Sequence, residues 1–331
     1  MIPDSAKGAI QPGLIWGFDF LGGEARPVGD VDLASDRPRP DGFRWLHFNL
    51  ADQRSQRWIA GSAPLPASVR ELLVSADVHQ RLAVEDGVAG FVLEDVERDF
   101  DDGEIRVGVV RFAVGPDLMI TARLHPLRSA DIVRQRIAAG ARVADAAAAA
   151  ELQLGAMAEV LRRILVDMDA TVQQVEDALL KDGRAPDARA FLTLRSLMVR
   201  LHRLFSGARA VFHRLEEDEP APPALAAGVV RAGHRLSALD AELLSIQSQL
   251  RLLREELDLQ ATQRTNQNLY ILSILTALMM PATLVTGLFG MNTGGLPWAH
   301  AGAGTAVATV LAVSASAGVY VALRLMGFIR R

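Results

Sequence analysis

The sequence predicts an α+β protein with an N-terminal α/β body, a long helical stalk and two membrane-crossing helices at the C-terminus. Three observations carry this. Residues 265–323 contain no Asp, Glu, Lys or Arg, whereas residues 1–264 hold all 39 acids and 32 of the 35 bases, a net charge of −7. Ahead of that uncharged stretch, leucines recur at alternating steps of three and four. Nearer the N-terminus the apolar period is two, the spacing of strands.

The first 126 residues read as a cytosolic α/β domain. Segments 14–20, 43–49, 88–94, 105–113 and 118–123 alternate and are rich in β-branched and aromatic types, so they are strands. Segments 52–62 and 66–77 between them read as helices. Residues 22–42, rich in Gly, Pro and Asp, read as a loop.

From about Leu127 the pattern turns helical and stays so, and 127–224 form a cytosolic helical segment. One apolar stripe is Leu154, Met157, Leu161, Ile164, Met168, Val172, Val175 and Leu179; a second is Leu194, Leu197, Leu201, Leu204, Ala208, Val211 and Leu215. Residues 216–225 are a turn. A third stripe, Leu236, Leu239, Leu243, Ile246, Leu250, Leu253 and Leu257, makes three heptads of a coiled-coil seam. Nothing stops that helix before the apolar region, so one stalk helix over 225–289 continues into the first span. At 1.5 Å per residue, 225–288 is about 96 Å long.

Residues 270–289 span about 30 Å as a helix, the thickness of a hydrocarbon core, and 302–323 make a second such span. Residues 290–301, with several glycines and Pro297, form the loop between them. Arg251, Arg254 and Arg264 precede the first span, and Arg324, Arg330 and Arg331 follow the second. The loop carries no Lys or Arg, which places it outside and both termini, including the tail 324–331, in the cytoplasm. The N-terminus lacks an apolar signal-peptide core. Pro281 is expected to bend the first span. Small residues in the second (Gly302, Gly304, Ala306, Ala308, Ala312, Ser314, Ser316 and Gly318) suit close helix contact in lipid.

Composition removes several function classes. With no cysteine, disulfides, iron–sulfur ligation, thiolate zinc sites and Cys nucleophiles are excluded. The formal charge of −4 and the absence of a dense basic stripe argue against a nucleic-acid partner. No phosphate loop, GxGxxG, HExxH or GxSxG occurs, so neither an enzyme nor a permanently bound cofactor is expected.

Gly290-Met291-Asn292 stands at the end of the first of two terminal spans, behind a long helix and an α/β domain. In this the chain resembles the CorA-type metal ion transporter superfamily, whose signature is that triplet in that place. The surrounding TGLFGMNTGGLPW, together with WLHFNLAD (45–52) and LPASVRELL (65–73), resembles the ZntB zinc-transporter branch. Residues 293–301 contain no acid, where the magnesium and cobalt branch usually places one. The resemblance implies a homopentameric funnel in the bacterial inner membrane, with itself, lipid and divalent metal ions as partners. It implies transport of a divalent cation, zinc first, through an axial pore lined by the first span. Proton-coupled uptake and passive conduction both fit. A magnesium, cobalt or nickel channel of the same superfamily is the alternative, and a membrane-tethered cytosolic scaffold is the alternative of another class.

Two helices per chain cannot enclose a water-filled path, so conduction requires several copies. A ring of Asn292 amides at the outer mouth suits the water shell of a divalent ion. In isolation the same Asn reads as a helix cap in a Gly-rich turn. Below it, Leu272, Thr276, Met280, Thr283 and Gly287 share one face of the first span, a sparsely polar lining with apolar rings at Leu272 and Met280. No Asp, Glu or Cys lies in the spans, so a zinc ion cannot be stripped to a nitrogen and sulfur site there and crosses largely hydrated. Candidate metal contacts are His300 near the mouth and Glu255 and Asp258 on the stalk, which alternatively pair with Arg251 and Arg254. The other histidines, His47, His79, His125, His202, His213 and His234, form no i, i+4 ligand pair and read as core or surface residues.

Overall fold

The computed structural model describes residues 13–28, 42–77, 79–98, 105–182, 188–217, 221–291 and 304–328. Seven strands form one mixed sheet: β1 (Leu14–Leu21), β2 (Glu24–Pro27), β3 (Gly42–Asn49), β4 (Leu82–Glu85), β5 (Val88–Val96), β6 (Val107–Val114) and β7 (Leu118–Arg123). Their order is β2-β1-β3-β7-β6-β5-β4. Only β3 and β7 run parallel; the other neighbours are antiparallel.

Two of these strands correct the expectations from sequence. Residues 22–42 are not all loop, because β2 occupies part of them, and β4 was not anticipated. Both are short hairpin partners set by two-residue turns. Gly22 and Gly23 have φ of 57° and 83°, and Asp86 and Gly87 have 50° and 75°. Positive φ at both central positions matches the twist of antiparallel strands, which is why Gly-Gly and Asp-Gly sit there.

Alternation sends strand side chains to two cores. Leu46, Phe48 and Ile120 meet Ile59 of α1 (Gln53–Gly61) and Val69 and Leu73 of α2 (Ala67–Val74). Asp52 caps α1, its carboxylate accepting the Arg54 amide at 2.9 Å. On the other face, Trp45, Phe91 and Phe112 join α3 (Arg128–Ala138), α4 (Ala146–Asp182), α5 (Ala188–Glu217) and the first part of α6 (Pro223–Gly290). Ala149 and Ala150, fully buried, let α4 lie close on the sheet.

The helical region is not continuous from Leu127, as the sequence pattern suggested. Gly140, at φ 89°, ends α3, and the Ala141 amide reaches back to the Arg136 carbonyl at 3.0 Å. Asp145 then starts α4, its side chain accepting the Ala148 amide at 2.7 Å. The expected turn at 216–225 is shorter than it looked. α5 runs to Glu217, and Pro223, pre-set for the first helical position, opens α6.

The three apolar stripes face inward. In the third, Leu236 through Leu253 are buried and Leu257 is half-buried. The chain divides into two compact units, Met1–Arg251 and Leu252–Arg331. α6 contributes to both. The second unit contains the rest of α6 and α7 (Gly304–Leu325).

Candidate functional site

Both C-terminal helices are long and apolar enough to cross a membrane, and the most apolar 18-residue window of α6 has no buried residue. A core helix of a soluble domain would have buried that surface. Here Leu272, Met280 and Leu284 stand 58%, 64% and 64% exposed. The two helices divide the surface of α6 between them. On the side that meets α7, Ile274, Leu278, Pro281, Ala282 and Val285 are half-buried, and the Ser316 hydroxyl donates to the Leu278 carbonyl at 2.8 Å. Ala312 is buried, and Gly304, Ala308 and Ser316 at spacings of four share its face. Of the anticipated small residues, Ala306, Ser314 and Gly318 instead point away, exposed.

The surface of α6 left uncovered is the face singled out from sequence. Thr276, Met280, Thr283 and Gly287 line one open concavity running from Leu275 to Met291, and Leu272 continues it. Its polar atoms are oriented. Thr276 donates its hydroxyl proton to the Leu272 carbonyl at 2.8 Å, and Thr283 donates to Met279 at 3.0 Å. Each hydroxyl is thereby fixed with its lone pairs toward the surroundings, as an acceptor. Among the described residues no heavy atom lies within 4 Å of where a Cβ would stand on Gly287 or Gly290, so packing against those residues demands glycine at neither. Gly290 is the last residue of α6, and Met291, just beyond it, is exposed. Asn292 and His300 lie outside the described residues.

Glu255 and Asp258 are exposed on α6, and neither forms an ion pair among the described residues, so the expected pairing with Arg251 and Arg254 is not found. No group of three or more His, Asp or Glu side chains is arranged to hold a metal ion among the described residues. The histidines separate by environment. His47 is fully buried on β3, stacked on Trp16 with ring centroids 4.7 Å apart. Burial, then the Arg123 guanidinium, pushes its pKa down to about 3. His202 on α5 approaches the buried Asp240 carboxylate of α6 at 3.1 Å, and Arg209 donates to the same carboxylate at 3.2 Å. His213 and His234, 21 positions apart in sequence, face one open groove between α5 and α6 with Glu216. Spacing along a single helix could not reveal that juxtaposition; the apolar stripes that pack α5 on α6 were the available signal.

A profile of the CorA-like Mg2+ transporter protein family matches residues 40–327. The divalent cation transporter CmaX of Pseudomonas aeruginosa is 26% identical over 314 residues, covering 91% of this chain and 92% of that protein. The zinc transport protein ZntB of Pectobacterium carotovorum is 24% identical over 286 residues, 83% of each chain. Among solved structures, full-length CmaX superposes with a TM-score of 0.79 at 25% identity, covering 96% of this chain and 98% of that one. The CorA magnesium transporter of Methanocaldococcus jannaschii gives 0.76 at 15% identity over 95% and 99%, a likeness of fold. With a family profile over most of its length and two exposed apolar helices after a mixed-sheet domain, the chain belongs to the CorA-like Mg2+ transporter family, as a divalent cation transporter and not an enzyme.

Proposed function

We propose that this protein carries zinc across the bacterial inner membrane as a homopentamer, through an axial path lined by the Leu272–Gly287 face of α6. The observation that carries the reading is the division of α6 into a side covered by α7 and an uncovered side holding Thr276, Met280, Thr283 and Gly287. A lone pair of helices gives no packing reason for glycine at 287, inside α6, where it costs about 1 kcal/mol against Ala. Neighbouring copies, or the width of a shared path, supply the reason.

The ion crosses largely hydrated. The threonine hydroxyls, already spent as donors, offer acceptors to the water shell of a cation, and apolar rings at Met280 and Leu272 bind nothing. Asn292 forms the outer ring that passes the hydrated ion inward, and both termini face the cytoplasm. Glu255, Asp258 and His300 act as cation-attracting groups on either side, without forming a closed metal site.

Zinc is supported by the ZntB relatives and by the loop 293–301, which has no acid. Magnesium, cobalt or nickel is the second reading, supported by the family description and by the broader name of CmaX. Zinc flux into proteoliposomes, measured against competing magnesium and with and without an imposed pH gradient, tests ion and coupling together. Zinc uptake unaffected by excess magnesium supports the first reading; uptake of magnesium alone overturns it. Asn292→Ala abolishes uptake if the ring is the entrance, and undiminished flux removes that residue from the path.

A further inference from the structure

Within the spans the serine and threonine hydroxyls of α6 and α7 mostly bond back to their own helix: Ser273 to Leu269, Thr276 to Leu272, Thr283 to Met279 and Thr309 to Thr305. Ser316 does not. Its hydroxyl crosses from α7 to the Leu278 carbonyl of α6, at 2.8 Å. The place it reaches is distinctive, because Pro281 lies inside α6 without an amide hydrogen and cannot bond the Ala277 carbonyl four residues back. Lipid offers no replacement donor, so the ladder is weakest across this turn. Ser316 therefore adds a donor one residue from the gap. Ala312, one turn earlier on α7 and buried, gives the close approach that the bond requires.

We propose that Ser316 is a positioning residue for transport: it braces the proline-weakened turn of α6 and so fixes where Met280, the residue before Pro281, stands on the conducting face. This rests on the reading above that the uncovered face of α6 is that face. The brace acts from behind. The Leu278 carbonyl meets α7 while Met280, two residues on and therefore about 200° around the helix, projects to the open side, so one hydrogen bond on the covered side bears on the residue opposite it. Without it α6 is free to bend at the missing hydrogen bond, and the apolar ring at Met280 changes its width.

The chain has no cysteine, so Met280→Cys introduces a single thiol whose accessibility reports that ring. The test is the rate at which a water-soluble methanethiosulfonate reagent modifies Met280→Cys in proteoliposomes of the full-length assembly. The backgrounds are native Ser316, Ser316→Ala, Ser316→Thr and Ser316→Val. Threonine keeps the hydroxyl, and valine has the same shape without it. Loss of the hydroxyl should change the rate about fivefold, what one ordinary hydrogen bond carries, with threonine restoring it. In a Pro281→Ala background, where the ladder is whole again, Ser316→Ala should have no effect. A thiol that reacts equally with valine and threonine at 316, or an effect of Ser316→Ala that persists undiminished with Pro281→Ala, overturns the brace alone. A thiol at 280 inert to the reagent in every background overturns the conducting face, and the brace with it.

Discussion

Arg123 donates its Nε proton to Nε2 of His47 at 3.1 Å, and the other imidazole nitrogen lies 2.8 Å from the Thr121 hydroxyl oxygen. A guanidinium can only donate, so Nε2 is the acceptor and Nδ1 carries the hydrogen. Thr121 then accepts from both His47 and the Trp45 indole, 3.0 Å away. Both ring nitrogens are committed, which removes His47 as a zinc ligand in the folded chain. It also makes the imidazole acid-sensitive. Its pKa in the fold, about 3, lies below the 6.5 of the unfolded chain. As pH falls from 6.5 toward 3 the unfolded state takes up a proton that the fold refuses. Stability present above pH 6.5 is lost through that window, up to about 5 kcal/mol. His47→Gln should remove this loss, so that the variant loses less stability than the native chain when the pH is lowered from 6.5, as followed by chemical denaturation of the detergent-solubilised chain. An unchanged acid limb would show that the imidazole is protonated in place.

Asp95 has the opposite sign. It is fully buried, and desolvation raises its pKa to about 6, although the Ser129 hydroxyl and the Val96 amide both donate to it. The fold therefore holds a proton that the unfolded chain gives up from about 3.8. Stability is lost as pH rises from 3.8 to 6, by about 3 kcal/mol, and stays lost at neutral pH. Asp95→Asn should stabilise the protein at pH 7.5 by about 2 kcal/mol and do little at pH 4. The new amide would donate to the Ser129 hydroxyl, which already accepts from the Gln153 amide at 2.7 Å, and turning that Gln153 amide over would offer its unpartnered Oε1 to the Ser129 proton. Destabilisation at both pH values would mean that the carboxylate is the form the site was built for. Between pH 4 and 6 the slopes from His47 and Asp95 oppose, so each variant should expose the slope of the other.

Asp19 and Arg44 face each other across β1 and β3 in direct register and form a buried two-point ion pair, at 2.7 and 2.9 Å. Removing Arg44 leaves the buried Asp19 carboxylate without the guanidinium that pairs with it. Arg44→Met should cost about 3–5 kcal/mol, and replacing both with leucine should cost much less. Urea denaturation of the two variants decides this; equal losses would show that the pair contributes as a pair and not through the stranded charge.

The fold was legible where one physical rule governs a segment. Five strands, α1, α2 and the long α6 follow from period, length and the uncharged run at 265–323. β2 and β4 were hidden because four-residue edge strands contain too few alternations to register, yet the Gly22-Gly23 and Asp86-Gly87 turns marked both hairpins. The break at Gly140 was masked by the alanine-rich continuation, which has strong helix propensity on its own. Which of the small residues on α7 face α6 was not readable. Gly304, Ala308, Ala312 and Ser316 are distinguished from Ala306, Ser314 and Gly318 only by the partner they meet. The face of α6 with Thr276, Met280 and Thr283 was readable, because polar residues at helical spacing in an apolar span stand out.

Thr276 and Thr283 offer the sharpest test of hydrated passage. Each hydroxyl gives its proton to its own helix, so valine removes an outward-facing acceptor while leaving the backbone ladder to hold the helix. Helix geometry should survive, since valine matches threonine in shape and an apolar side chain is at home in this setting. A hydrated cation meeting a ring that no longer accepts from its waters loses about 1 kcal/mol per ordinary hydrogen bond, so flux should fall about fivefold for either Thr→Val change. Serine at the same positions retains the acceptor and should retain flux. Because the contribution comes from water contacts and not from direct ligation, zinc and magnesium should be slowed to the same degree. A loss confined to zinc would point to inner-sphere contact with the hydroxyl oxygens. Flux unchanged in both valine variants would place the path on another surface.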